Sequence, residues 1–303
     1  MTSPVVDLPA LRAYLVAHAV EGVDEVEVRP DGSSRHRRVV PTPGGPVAIR
    51  VTLPVALMGT PVVEVGSGSS QDGGPGGPPD DVGAALAAAH RWLGLDADPA
   101  AAVEALADDL VLGPLVSARP HLRVPGTTDP FEAAVNVVLG QHVSLAAGRV
   151  FAGRLASTYG AEEPTDSPLA GLVAYPKPEV LAGLDPDGLR ATVGVTGARA
   201  RTVVALARAV LDGLDLAPTD DPDQRATTRA ALLALPGVGP WTADLVALRC
   251  LRDPDVFLPG DLVLRKAMGG ITAKEAARHA EVWAPHRSLA VLHLWTHHAI
   301  DPR

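Results

Sequence analysis

The sequence predicts an α+β protein that is mainly helical, with a small mixed domain ahead of a larger helical part. Three observations carry this. Up to residue 65, several segments alternate apolar residues, chiefly valine, with polar ones, which is the period of a half-buried strand. Residues 66 to 79 are almost entirely Gly, Ser, Pro, Asp and Gln, the composition of a flexible surface loop where function is not expected. From Pro99 onward the apolar residues recur at three and four, and strand signals nearly vanish. With 303 residues, 47% of them hydrophobic, the chain can fill two or three such domains.

Taken in order, an amphipathic helix is expected over 8 to 20, then strands at 25 to 29, 37 to 40, 47 to 53 and 61 to 65. An alanine-rich helix over 81 to 93 completes a first domain of about a hundred residues. Caps punctuate the helical part. Thr128 or Asp129 can cap a helix that has Pro130 in its first turn and ends at Gly140. Ser144 can cap the next, which runs to Tyr159 and stops at Gly160. Gln141, His142 and Val143 are thereby left in a short connection between two helices. Further helices are expected at 199 to 211, 224 to 235, 241 to 251, 262 to 268, 273 to 283 and 288 to 299.

Composition excludes several classes. A single cysteine, Cys250, permits neither a disulfide framework nor a four-thiolate iron–sulfur cluster. No basic segment leads into an apolar run at the start, and no stretch reaches the roughly 18 apolar residues of a membrane helix, so a cytoplasmic location is expected, with no membrane partner. The net charge of -9 counts against a nucleic-acid partner. One segment offsets it locally: Arg190, Arg199, Arg201 and Arg208 fall between residues 188 and 211 with no acid among them, as on a DNA-facing surface or an ordinary solvated helix face.

The segment Leu235-Pro-Gly-Val-Gly-Pro-Trp-Thr-Ala243 joins two apolar-periodic helices through a hairpin. Gly237 and Gly239 permit positive φ and close backbone approach, and amides at the opening of the next helix, at Trp241 and Thr242, can face an anion. Pro236, Gly237, Val238, Gly239 and Thr242 thus form a candidate phosphate-oxygen cradle that needs no lysines; a plain Gly turn between helices is the alternative reading. Past the following helix lies Phe257-Leu-Pro-Gly-Asp-Leu262, a Pro-Gly turn and then an acid, Asp261, at a helix start. Alone, Asp261 reads as a helix N-cap.

Hairpin, helix, Pro-Gly loop and Asp together resemble the helix-hairpin-helix superfamily of base-excision DNA glycosylases. Within it the chain is most similar to the DNA-3-methyladenine glycosylase II family. The stretch from Pro130 to Ser144 resembles that family's helix and lesion-probing loop, and the stretch from Glu281 to Trp295 its C-terminal helices. The resemblance implies a TATA-binding-protein-like α+β domain over residues 1 to 96. It implies next a helix-hairpin-helix glycosylase domain of two lobes, one made of 97 to 129 plus 253 to 303 and the other of 130 to 252, with the active site between them. It implies a monofunctional glycosylase that excises alkylated purines such as 3-methyladenine and 7-methylguanine from double-stranded DNA in base-excision repair, acting as a monomer.

The same resemblance assigns the site residues. Asp261 is the catalytic carboxylate, which stabilises the oxocarbenium-like sugar or orients or deprotonates the attacking water; these two roles stay open. Only ten aromatic residues exist in the chain. Trp241, Trp295 and Tyr14 match aromatic walls of the base pocket, while Leu245 and Leu262 stand where the family has two further aromatic walls. Gln141 and His142 match the wedge that enters the duplex. The lyase-active branch has a lysine where Trp241 stands, so a Schiff base is disfavoured. No cofactor is required; a monovalent cation at the hairpin carbonyls is the one ion the resemblance implies. His293 and His297 have the spacing of a helical zinc pair, but no Cys or acid completes a metal site. The alternatives are a non-catalytic hairpin protein that binds DNA and a glycosylase for other damaged bases.

Overall fold

A computed structural model describes residues 4–66, 79–162 and 170–300. Residues 67–78, most of the expected flexible loop, lie outside them. The chain opens on a two-residue strand, β1 (Val6–Asp7), and Asp7 then caps α1 (Leu8–His18) by accepting from the Ala10 amide. Next come β2 (Asp24–Val28), β3 (Ser34–Thr42), β4 (Gly45–Leu53), the short β5 (Met58–Gly59) and β6 (Val62–Gly66). β2, β3, β4 and β6 form an antiparallel sheet in that order, and β5 pairs with β1. β3 is longer than expected because it pairs with β4 along the whole length of both, from Ser34 opposite Leu53 to Thr42 opposite Gly45.

One face of the sheet is covered by α2 (Pro79–Trp92). The core between them contains Ile49, Val51 and Leu53 from β4, Ala85, Ala88 and Ala89 from α2, and Leu8, Leu11 and Leu15 from α1. Burial of such side chains contributes roughly 1.5–3 kcal/mol each for the large aliphatic ones.

The helical part begins with α3 (Ala100–Leu106) and α4 (Gly113–Ala118) and continues with α5 (Pro130–Leu139) and α6 (Leu145–Tyr159). The two-residue strands β7 (Ala161–Glu162) and β8 (Val173–Ala174) pair with each other. Then come α7 (Pro178–Ala182), α8 (Pro186–Val193), α9 (Gly197–Leu211), α10 (Pro222–Leu233) and α11 (Pro240–Val246), the last running into a π-helical turn at Ala247–Leu251. α12 (Leu262–Ala267), α13 (Ala273–His279) and α14 (Arg287–Ile300) complete the chain. Asp129, not Thr128, caps α5 through the amides of Phe131 and Glu132, and Ser144 caps α6. α3, α4, α7 and α8 have no counterpart among the expected helices, since one or two turns are too short to show a period.

Two helical cores lie side by side, and α11 with its π turn is wedged between them. Ala243, Val246 and Cys250 belong to the core of α5, α6 and α9; Ala247, Leu248 and Leu251 belong to the core of α12, α13 and α14. A helix buried on both sides is a stiff carrier for whatever its remaining face presents. That face holds Trp241, Leu245 and Arg249, four residues apart.

Candidate active site

The hairpin between α10 and α11 is held from behind. Gly237 has φ +82, and a Cβ there would overlap the Thr202 hydroxyl of α9, so a side chain is excluded on both conformational and steric grounds. Gly239 differs from expectation: its φ is -97 and a Cβ would stand in open space, so it serves as an ordinary helix N-cap. Thr202 Oγ1 donates to Pro236 O at 2.8 Å, and the Val238 side chain is buried in the core. The amides of Gly239, Trp241 and Thr242 have no acceptor among the described residues, and Pro236, Gly237 and Gly239 are exposed. The hairpin thus offers donors outward while its carbonyls are largely used inward. Val238 O alone of the carbonyls from 235 to 239 accepts nothing among the described residues, too small a donor set to hold a cation by itself.

Gln141 faces this hairpin. Its amide nitrogen donates to Gly237 O at 3.0 Å and to Thr242 Oγ1 at 2.9 Å. Arg199, buried and packed over Phe151, donates to Gln141 O. The amide nitrogen of Gln141 thus locks the α5–α6 connection to the hairpin. Arg199, by contrast with expectation, is buried and does not belong to an exposed basic face, whereas Arg190, Arg201 and Arg208 are exposed. His142 is exposed in the left-handed region with φ +54, next to the exposed Val143 and Leu145. The loop therefore projects one imidazole and two aliphatic side chains.

Between the N-terminal domain and the two helical cores lies a cleft of about 550 Å³. Asp261, Trp241, Trp295, Tyr14 and Leu245 all line it. Asp261 is the N-cap of α12, its Oδ1 accepting from Leu264 N at 2.9 Å, a bond that fixes the carboxylate against rotation. Its oxygens also accept from Trp295 Nε1 at 3.2 Å and, more loosely, from Trp241 Nε1 at 3.4 Å. Three neutral donors orient the group without cancelling its charge. Leu262 is not a wall: as the first residue of α12 it points outward and is 59% exposed, while Val263 faces the cleft.

Several lining residues had no place in the sequence reading. Arg249 is buried, with its guanidinium carbon 4.9 Å from the Tyr14 ring centroid and 5.5 Å from that of Trp295. The spacing Trp241, Leu245, Arg249 on one helix was the signal that could have found it. His18 stacks on Tyr14 with centroids 4.1 Å apart. At the other end of the cleft Arg38 of β3 reaches Glu132 of α5 at 2.6 and 2.7 Å and Asp24 at 3.6 Å, all three side chains under a tenth exposed. Burial, reinforced by the neighbouring Asp24 and Asp129, pushes the Glu132 carboxyl up to about 7 although Arg38 opposes the shift. His293, in contrast, is buried away from the cleft lining, and burial lowers it to about 4.

Residues 3–129 match the family described as the AlkA N-terminal domain. DNA-3-methyladenine glycosylase 2 of Escherichia coli strain K12 is 41% identical over 185 residues, which cover 61% of this chain and 63% of that protein. A protein of Mycobacterium tuberculosis described as a probable bifunctional transcriptional activator/DNA repair enzyme AlkA is 43% identical over 221 residues, 71% of this chain and 43% of its own length. The chain thus spans less than two thirds of these curated relatives. Among solved structures, a 3-methyladenine DNA-glycosylase from Archaeoglobus fulgidus shares the fold with a TM-score of 0.73 at 19% identity, over 97% of this chain and 95% of that one.

Proposed function

We propose that this chain is a member of the DNA-3-methyladenine glycosylase II family and a monofunctional DNA glycosylase that excises alkylated purines from duplex DNA. The observation that carries the reading is Asp261, aimed into an aromatic cleft by the N–H groups of Leu264, Trp295 and Trp241. Breaking a glycosidic bond builds positive charge on the sugar, and a fixed, uncancelled carboxylate in the lining of the cleft lowers the energy of that charge. An alkylated purine such as 3-methyladenine or 7-methylguanine is already cationic and leaves readily, so no strong acid is needed opposite Asp261. The exposed amides of the hairpin fit phosphate oxygens, and the loop of His142, Val143 and Leu145 fits the space that a flipped base vacates. Neither needs a basic surface.

Trp241 stands where a Schiff-base lysine would be, so the product is an intact abasic site. The enzyme acts as a cytoplasmic monomer without a required cofactor; a monovalent cation at the hairpin would take Val238 O and need a DNA phosphate for the rest of its shell. Among the described residues no helix is long and apolar enough to cross a membrane. The test is release of bases from a methylated duplex, combined with a gel of untreated product and borohydride trapping. Free methylpurine with unbroken strands and no trapped complex is expected; strand nicks or a trapped adduct would refute the monofunctional assignment.

A further inference from the structure

We propose that Arg249 is a specificity-determining residue of the cleft, acting against cationic bases and in favour of neutral purines that carry a ring carbonyl. The proposal rests on the base-excision reading of the same cleft and deepens it. Its starting point is an unusual charge. Arg249 lies on the buried helix that carries Trp241 and Leu245, is only 9% exposed, and lines the cleft. Its Nη1 donates to Pro125 O at 3.0 Å, and no ion pair with a carboxylate involves it among the described residues. Its other N–H groups have no acceptor there either. A guanidinium cannot shed its proton to escape burial, so it remains a fixed positive charge with spare donors. The offsetting contacts are the π faces of Tyr14 and Trp295.

Two of the three aromatic walls are therefore already engaged with a cation. A methylated, positively charged base that stacks on these rings meets like-charge repulsion from Arg249. A neutral 6-oxopurine meets the opposite. Its carbonyl oxygen can accept from the free N–H groups. When the bond from C1′ to N9 breaks, the electron pair goes with the base, which departs as an anion opposite a fixed cation. Water then bonds through oxygen to C1′ and gives up one proton, and the purine anion takes one proton from solvent, so charge and atoms balance. Arg249 donates no proton; it stabilises the charge that a cationic base never develops.

Arg249→Met keeps the length of the side chain and removes its charge, and Arg249→Lys keeps charge without the planar fork. Single-turnover release should be measured from a hypoxanthine duplex and from a duplex carrying 3-methyladenine. In Arg249→Met the hypoxanthine rate should fall at least about tenfold, the usual scale of a charge-assisted contact, and fall by a larger factor than the 3-methyladenine rate, so that the ratio of the two rates shifts toward the cationic base. Arg249→Lys should recover part of the hypoxanthine rate. Quenching of tryptophan fluorescence by free hypoxanthine reads the same preference without chemistry, and Arg249→Met should need about tenfold more ligand for half-saturation. Equal fractional losses for both lesions, or quenching that Arg249→Met leaves unchanged, would overturn the proposal. A wild-type protein that binds hypoxanthine through Arg249 yet releases no base would overturn the base-excision reading alone.

Discussion

Asp261 and Glu132 are two carboxylates lining one cleft, and they are held in opposite ways. Asp261 accepts from three neutral N–H groups, which orient it and leave its charge to act on whatever enters. Glu132 is gripped by the Arg38 guanidinium at 2.6 and 2.7 Å and sealed from solvent, so it is held inside the protein, with any charge it carries met by Arg38. The sequence separation explains the division of labour. Arg38 and Glu132 are 94 residues apart and tie the N-terminal sheet to the helical part, whereas Asp261 is bonded to the fourth residue of its own capping turn and to rings on the helices beside it. A carboxylate is chemically available when uncharged donors hold it, and becomes a strut when a cation does.

The largest effect separating the two should come from Asp261→Asn. Asparagine also caps a helix, so stability should change by less than about 1 kcal/mol, while base release falls on the order of a thousandfold through loss of the fixed charge. Duplex binding should be equal or tighter, because a carboxylate facing phosphates has gone. Normal turnover in the folded variant would remove Asp261 from the mechanism. Arg38→Met should reverse the pattern: Glu132 and Asp24 stay buried without their cation, at a cost of about 3–5 kcal/mol in denaturant unfolding, with a far smaller change in release per folded molecule.

A pH scan probes the same end of the cleft on a somewhat smaller scale. Glu132 titrates at about 7 in the folded protein against an ordinary value of 4.5, so below 4.5 it is protonated in both states and contributes no slope. Between those two values the unfolded chain has lost the proton and the folded one retains it. Stability from this group therefore falls as pH rises from 4.5 to about 7. Unfolding curves of Glu132→Gln should lack that descent; an unchanged slope would place the titration elsewhere.

Legibility in the sequence tracked distance along the chain. Elements set by local chemistry could be read directly: Asp129 and Ser144 at their helix starts, the hairpin from Leu235 to Ala243, and Asp261 as an N-cap. Tyr14 could be placed in the cleft only by resemblance, because nothing in α1 marks one ring as a wall. Leu262, placed in the pocket by resemblance, points outward and its neighbour Val263 lines the cleft, since one step around a helix start turns a side chain by about 100°. Gln141 and Arg199 looked like surface groups because their partners, Gly237 and Gln141, are supplied by tertiary packing. The Arg38–Glu132 pair was invisible for the same reason, and Arg249 could be placed on the cleft face by its spacing from Trp241 and Leu245 but not recognised as a buried charge, which shows only in what surrounds it.

The smallest effect concerns the two tryptophans that flank Asp261 and that the sequence treats as equals. They are not equal in the structure. Trp295 shares its ring with Arg249, whereas among the described residues no cation lies over Trp241. Truncating either to alanine should cost about 1–3 kcal/mol in single-turnover release, the range of base–aromatic stacking. The distribution over lesions should differ. Trp241→Ala removes a free π face and should penalise cationic 3-methyladenine more than neutral hypoxanthine. Trp295→Ala also deprives Arg249 of one of its two ring contacts, so its losses should be equal for the two lesions or greater for hypoxanthine. Measuring both variants on both lesions settles the asymmetry. A larger loss for the cationic base in Trp295→Ala would mean that Arg249 leaves the ring when substrate arrives and that the two tryptophans grip the base as a symmetric pair.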